Sequence, residues 1–351
     1  MGILLNMAKQ RLAYIDFMKG LCIMLIVMHH TEVKFFDAIA PNLDNALQSF
    51  RVPMYYFLSG LFFKTYSGFS GFLRRKVNNL IIPLIFFHVT GYLIAAASYP
   101  FLHPGGEFNW SGLWHIVIHR TWPYTMPLWF LASLFEVNVI YYLIKRYNHK
   151  YVCVAIIIAL SVAPLILASK NTTLPLLLDT AFVGLPFFAV GTLVKSFGLQ
   201  MPHRFDKWGL LVFPIVAVAV YCLAGHIDIV EQQFPNYFQL YVLPMAAILA
   251  LMWLCKNLRW WKSDENGVSK TSLYTRIPLI GYWGQFSLIV LGTHDWILTP
   301  LDTIFASTLL SLVATALLKF AITMTAMLII IPLLVRFFPK FTAQKPLLSI
   351  Q

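Results

Sequence analysis

The chain has 351 residues, of which 59% are hydrophobic and only 11% are charged. One soluble core could not bury so much apolar surface, so the composition excludes an ordinary soluble protein and makes membrane lipid a partner. The net charge of +12 is divided among short basic clusters beside apolar segments. This distribution indicates membrane topology signals and argues against a nucleic-acid partner.

The apolar segments are about 20 residues long, which is the length of an α-helix that crosses a bilayer, and they lack the alternation of barrel strands. They predict an all-α, polytopic integral membrane protein with about ten transmembrane helices. Because no linker or repeat divides the chain, we treat residues 1–351 as a single transmembrane domain. The predicted helices cover residues 14–33, 46–63, 77–100, 127–147, 150–169, 176–198, 208–225, 237–259, 277–299 and 308–337.

The basic residues predict the orientation of these helices. Most of the 26 lysines and arginines fall before the first segment, between alternate segments or after the last one. By the positive-inside rule, both termini are then cytoplasmic. The loops on the outer side hold only four basic residues, which are Lys34, Arg51, Arg120 and Lys170.

The first predicted helix carries Asp16, Lys19 and His30. Ionisable side chains at membrane depth are costly unless they are paired or line a wet cavity, so they are functional candidates. At about 100° per residue, His30 lies roughly 20° from Lys19 and roughly 40° from Asp16, whereas His29 lies about 140° from Asp16. This arithmetic selects His30 over its neighbour. A structural ion pair between Asp16 and Lys19 is the alternative.

The next candidates surround the second and third helices. The second helix contains Ser59 within Phe57-Leu58-Ser59-Gly60, and the third is preceded by Arg74, Arg75 and Lys76. Ser59 suits close helix packing as well as ligand contact. The basic cluster would anchor the topology of a permease equally well.

The fourth helix opens with Trp129 and holds Glu136, and the ninth carries His294 beside Asp295. Trp129 also fits an interfacial aromatic belt, and Glu136 a structural ion pair. His294 and Asp295 could form an oriented base pair, although adjacent residues on a helix do not face each other.

Other ionisable residues suggest no site. His115 and His119 have the i, i+4 spacing of metal ligands but lack a third ligand nearby, so we predict no metal. Asp179 and Lys319 fall in or near apolar segments, and the sequence indicates no role for either.

Together these motifs resemble the acyltransferase type 3 family, in particular its fucose 4-O-acetylase-like branch. The resemblance implies a ten-helix O-acyltransferase of the bacterial inner membrane. Such an enzyme moves an acetyl or other short acyl group from cytoplasmic acyl-CoA to a hydroxyl of a cell-surface, exported or lipid-linked glycan. The motifs follow the family order: Asp16-x-x-Lys19-Gly20, His30-Thr31, Phe57-Leu58-Ser59-Gly60, the basic cluster before Pro83, Trp129-Phe130-Leu131, and Ser287 to His294.

The resemblance also implies roles for individual residues. His30 corresponds to the catalytic histidine, with Asp16 and Lys19 as its acidic and basic companions. Many members carry arginine in place of Lys19, which argues against bidentate anion recognition at this position. The other implied site residues are Arg74, Arg75, Lys76 and Ser59 for acetyl-CoA, and Trp129, Glu136 and His294 for the lining.

The chemistry needs a histidine because a sugar hydroxyl is a poor nucleophile at neutral pH. His30 would serve either as the general base or as a covalent acyl carrier, and the sequence leaves both routes open. The rival function is a transporter or glycan-export permease, in which the polar face of the first helix lines a pathway.

Overall fold

The computed structural model describes residues 13–32, 34–66, 68–120, 122–196, 206–257, 278–306 and 311–349. These residues form helices and turns, with one isolated β-bridge between Asp228 and Gln233. In chain order the α-helices are α1 (Ala13–Thr31), α2 (Phe35–Ile39), α3 (Leu43–Leu61), α4 (Phe69–Lys76), α5 (Ile82–Leu102), α6 (His115–Ile118), α7 (Trp129–Tyr147), α8 (Lys150–Ser169), α9 (Leu178–Ser196), α10 (Asp206–Leu223), α11 (Leu243–Asn257), α12 (Pro278–Gln285), α13 (Ser287–Phe305) and α14 (Leu312–Phe337).

The helices confirm an all-α membrane protein, and each predicted apolar segment overlaps at least one of them. The count of about ten crossings and the orientation of the termini stay predictions. The sequence analysis missed the short α2 and the break at Phe286, which divides the ninth segment into α12 and α13. Six described spans are long and apolar enough to cross a membrane: Phe69–Leu102, Met126–Tyr147, Lys150–Ser169, Pro175–Ser196, Phe238–Lys256 and Leu312–Phe337.

Two wide π-helical turns interrupt these spans, and each lies just before a proline. Val77–Ile81 precedes Pro83, and Phe238–Val242 precedes Pro244. Proline lacks the N–H that would bond to the carbonyl four residues earlier, and its ring crowds that carbonyl. The wider turn relieves this crowding and keeps the chain helical.

Helix α1 lies at the centre of the bundle, where it contacts α3, α11, α12, α13 and α14. By contrast, only 11% of the most apolar window of α8 is buried within the protein, so α8 faces lipid. The central position keeps the ionisable side chains of α1 away from hydrocarbon and gives them protein neighbours.

Helices α3 and α9 approach each other through glycines. A Cβ atom on Gly60 would collide with the carbonyl oxygen of Phe188, and one on Gly191 would collide with that of Phe57. Small residues permit such close backbone contact between membrane helices. Gly60 therefore has a packing role, whereas its neighbour Ser59 borders the cavity described below.

Asp179, which the sequence left without a role, joins three segments of one end of the bundle. Its carboxylate accepts hydrogen bonds from the Arg120 guanidinium at 2.7 and 3.0 Å and from the backbone N–H groups of Leu174 and Thr180. Arg120 also donates two bonds to the carbonyl of Val230. This buried ion pair explains how a charged residue is tolerated at the start of α9.

The segment after α14 returns to the first π-helical turn. The Asn78 side chain, which is 1% exposed, accepts hydrogen bonds from the backbone N–H groups of Leu347 and Leu348, both at 2.8 Å. Its amide donates to the carbonyl of Leu348 at 3.1 Å. The C-terminal segment is thus held beside Lys76 and Asn79, which border the cavity.

Candidate functional site

A cavity of about 430 Å³ lies among α1, α3, α7, α13, the end of α4 and the π-helical turn that follows it. Its volume is typical of a small-molecule site. Lys19 and His30 both line it and are about 16 Å apart along α1, so the cavity is elongated. Its walls are mostly apolar, and the side chains in the lining that carry a polar or charged group are Lys19, His30, Tyr55, Ser59, Tyr66, Lys76, Asn79, Trp129 and Ser287.

The cavity brings together half of the site residues predicted from the sequence. Those in the lining are His30, Lys19, Ser59, Lys76 and Trp129. The other five, Asp16, Arg74, Arg75, Glu136 and His294, lie outside the lining.

Asp16 lies in α1, as predicted, but outside the lining of the cavity. It is 8% exposed, and its backbone carbonyl lies against Gly284 of α12. Lys19, about one turn further along α1, reaches the cavity with its Nζ 5.6 Å from the centre of the Phe62 ring. The lining of the cavity therefore begins at Lys19 rather than at Asp16.

The basic cluster divides into three environments. Lys76 lines the cavity, with its Nζ 5.7 Å from the centre of the Phe72 ring. The Arg75 guanidinium lies 4.4 Å from the ring centre of Tyr66, which itself lines the cavity. Arg74 is exposed. Lys76 is thus the member of the cluster that meets a cavity ligand directly.

At the other end of the cavity, His30 approaches two residues of α13. Its Nδ1 lies 3.8 Å from Asp295 Oδ1, and its ring centre is 5.1 Å from that of His294. The Nε2 atom of His294 lies 3.4 Å from the same Asp295 oxygen. The expectation that adjacent helical residues cannot meet is wrong here, because both side chains extend toward His30.

The neighbouring histidine belongs to a different cluster. His29 Nδ1 lies 2.9 Å from Asp44 Oδ1, and the Arg51 guanidinium lies 3.3 Å from the same oxygen. The sequence analysis assigned Arg51 to an outer loop, but it lies inside α3 and is 4% exposed. The carboxylate of Asp44 compensates the buried positive charge of Arg51.

Lys319, which had no explanation in the sequence, holds the end of α1. Its Nζ lies 2.8 Å from Asp302 Oδ1, 3.4 Å from the Thr31 carbonyl and 3.8 Å from Glu32 Oε2. The last carbonyls of a helix lack partners within the helix and favour a nearby cation. This contact fixes the turn that carries His30.

Glu136 lines a second cavity of about 480 Å³ near the starts of α7 and α9. Its Oε2 atom is buried and makes no hydrogen bond to the described residues. Arg120, Trp122 and His119 also line this cavity. Glu136 therefore borders a different cavity from the one that His30 lines.

Several polar residues of the site were not predicted from the sequence. Asp295 was considered only as the neighbour of His294, although an intramembrane carboxylate was a sufficient signal to retain it. Tyr55 donates a hydrogen bond to the Lys19 carbonyl at 2.8 Å and lines the cavity, as does Asn79. Tyr55 lies in α3 and Asn79 in the first π-helical turn, and no sequence motif indicated either residue.

Comparison with known families matches this architecture to one of them. A family model described as an acyltransferase domain matches residues 12–336, which is nearly the whole chain. No curated protein and no solved structure gives a significant match. The match includes every helix from α1 to α14 and confirms the resemblance drawn from the motifs. The fucose 4-O-acetylase-like branch stays a prediction. The chain belongs to the acyltransferase type 3 family.

Proposed function

We propose that this membrane acyltransferase moves an acetyl or other short acyl group from acyl-CoA to a hydroxyl of a cell-surface or exported glycan. The observation that carries the proposal is that Lys76 and His30 line the same cavity. Family membership supports O-acyl transfer over the permease alternative. The proposed location is the bacterial inner membrane, with acyl-CoA supplied from the cytoplasm.

The donor fits the chemistry of the cavity. Lys76 and the nearby Arg75 offer positive charge for the phosphates of CoA, and charge-assisted hydrogen bonds to phosphate are strong. The narrow, mostly apolar passage suits the elongated pantetheine arm. The thioester would then lie near His30, at the far end from the basic residues.

His30 has a neighbour suited to orient it as a base. Because Asp295 Oδ1 faces Nδ1 of His30, the carboxylate favours a proton on Nδ1 and leaves the lone pair on Nε2. In the proposed reaction the acceptor oxygen bonds to the thioester carbon while its proton passes to Nε2. The C–S bond then breaks, and the thiolate of CoA takes that proton from the imidazolium. Such a base contributes about 10²–10⁴ in rate.

The test measures acyl transfer directly. The purified protein, reconstituted in lipid, is incubated with labelled acetyl-CoA and a panel of glycans with free hydroxyl groups. We expect labelled ester in the wild type and a rate of ester formation lower by about 10²–10⁴ with His30→Ala. His149→Ala is the matched control, because His149 is an exposed histidine that precedes α8 and is absent from the lining of the cavity.

Two results would contradict the proposal. One is transfer by His30→Ala at the rate of the wild type. The other is movement of a glycan across the membrane without consumption of acetyl-CoA, which would favour a permease. A labile, hydroxylamine-sensitive acetyl label that is trapped on His30 in the absence of acceptor would instead identify the covalent route.

A further inference from the structure

The cluster of His30, His294 and Asp295 offers three potential metal ligands beside the cavity. One ring nitrogen from each histidine and one Asp295 oxygen all lie within 4.8 Å of one another. The three residues come from two helices, α1 and α13, so the grouping depends on tertiary packing rather than on a local motif. Among the described residues it is the one group of this kind.

His294 has a defined tautomer. Its Nδ1 lies 2.9 Å from the carbonyl oxygen of Val290, and a carbonyl can only accept, so Nδ1 carries the hydrogen. In the neutral ring, Nε2 then carries a lone pair. The side chain of His294 is fully buried, and Nε2 makes no hydrogen bond to the described residues. A buried nitrogen without a hydrogen-bond partner raises the free energy of the folded protein, so it indicates that a ligand normally contacts it.

A positively charged partner would satisfy both His294 and its neighbour Asp295. The His294 Nε2 lone pair and the Asp295 carboxylate lie 3.4 Å apart, and they would repel each other in a dry environment. A proton on Nε2 would turn this repulsion into an ion pair but would leave the N–H without a directed acceptor, because Nε2 makes no hydrogen bond to the described residues. A cation between the three ligand atoms would contact all of them at once.

We propose that His30, His294 and Asp295 bind a divalent transition-metal ion, with zinc as the ion that fits best. Two histidine nitrogens and a carboxylate are ordinary zinc ligands. Ligands about 2.0–2.2 Å from a tetrahedral zinc lie roughly 3.3–3.6 Å apart. The separations of 3.4 Å and 3.8 Å to Asp295 come close to this range, and the ligand atoms of the whole cluster, which lie within 4.8 Å of one another, would draw together around the ion. Because His30 borders the cavity, the fourth position is open to it.

The bound ion would act as an inhibitor, and this part of the inference rests on the proposed function. A neutral histidine that holds a metal through Nδ1 carries its only hydrogen on Nε2. His30 in that state has no lone pair for the proton of the acceptor. The metal therefore replaces the proton that Asp295 favours on Nδ1, and the base is reversibly switched off. In this role the ion regulates acyl transfer and takes no part in the reaction.

The experiment titrates zinc chloride into the purified, chelator-treated protein in lipid and measures heat of binding and metal content. Wild type should bind one zinc ion per chain. His294→Gln and Asp295→Asn should weaken binding by more than the roughly 10–100-fold expected for loss of a second-shell partner. A cobalt-loaded sample gives an independent absorption signal of the ligand set. The control is His115→Ala/His119→Ala, which removes the other close imidazole pair, with ring centres 4.2 Å apart.

The outcomes separate this inference from the proposed function. Absence of stoichiometric binding, or equal affinity in wild type and both cluster variants, would overturn the metal site. Stoichiometric binding that leaves acetyl transfer unchanged would overturn the inhibitory role. Binding that depends on the cluster in a protein without transferase activity on any acceptor would retain the site and contradict the proposed function instead.

Discussion

Two histidine–aspartate clusters lie at the same end of α1, and they differ in how completely their charges are matched. In the first, Asp44 contacts both His29 and Arg51 within 3.3 Å. In the second, Asp295 faces His30 and His294 at longer distances, and His294 Nε2 has no hydrogen-bond partner among the described residues. The first cluster is a completed structural unit. The second borders a cavity and retains capacity for a ligand or a proton.

Residue type alone therefore does not identify a functional site. Both clusters combine imidazole and carboxylate near the end of one helix. Arg51 neutralises one of them, whereas the other has cavity space in place of an arginine. Buried charges that are fully paired contribute to structure, and incompletely paired charges at a cavity are candidates for chemistry.

The largest expected difference lies between the two adjacent histidines. His30→Ala should lower the rate of acetyl transfer by about 10²–10⁴, the contribution of a general base. His29→Ala should retain transfer within about tenfold, because its ring contacts Asp44 outside the cavity lining. Initial rates with labelled acetyl-CoA measure the difference. Equal losses in the two variants would remove the distinction between the clusters.

The second prediction concerns stability, for which the cluster around Asp44 should matter more than the cluster around Asp295. Arg51→Met leaves the buried Asp44 without its guanidinium, and breaking such a pair costs about 3–5 kcal/mol of unfolding free energy. Thermal unfolding in detergent should show a large decrease in the midpoint. His30→Ala serves as the comparison and should change the midpoint much less, since His30 borders a cavity.

The third prediction compares the two carboxylates. Asp295→Asn should lower kcat by roughly 10–100-fold, because an interaction between a charged group and its partner is worth about 1.5–3 kcal/mol. The neutral amide would no longer favour a proton on Nδ1 of His30. The KM for acetyl-CoA should stay near that of the wild type. Asp44→Asn is the matched variant, and a comparable decrease in its kcat would count against the assignment.

The smallest effect is expected at the basic end of the cavity. Lys76→Ala should raise the KM for acetyl-CoA by about tenfold through loss of one charge-assisted contact. Arg74→Ala should raise it less, because Arg74 is exposed and outside the lining. Competition with CoA and with dephospho-CoA would show whether the affected contact is to phosphate. A larger effect of Arg74→Ala than of Lys76→Ala would assign the phosphate contact to Arg74 instead.

Much of this arrangement could be predicted because α1 is one uninterrupted helix. Angular arithmetic therefore related Lys19 to His30 correctly as residues of one cavity. The same arithmetic did not distinguish Asp16, because one face of a helix meets different neighbours at different depths. Asp16 meets α12, whereas the cavity begins at Lys19.

Contacts between helices account for what the sequence did not predict. Membership in a basic run could not tell Lys76 from Arg74, since the wide turn that follows fixes which side chain faces the cavity. Glu136 and Trp129 share one helix, yet they border separate cavities. The pairing of Asp295 with His30 depends on how α13 lies against α1, and no spacing within the chain encodes that distance.

The attachment of the C-terminal segment to Asn78 has a practical consequence for anyone labelling this protein. Leu347 and Leu348 are bound to the turn that flanks Lys76. A fluorescent reporter or affinity tag joined next to these residues would disturb their contact with the turn beside the cavity, and truncation before residue 347 would remove both N–H donors to Asn78. Labels are better inserted between α7 and α8, where Asn148 and His149 connect the two helices at the surface.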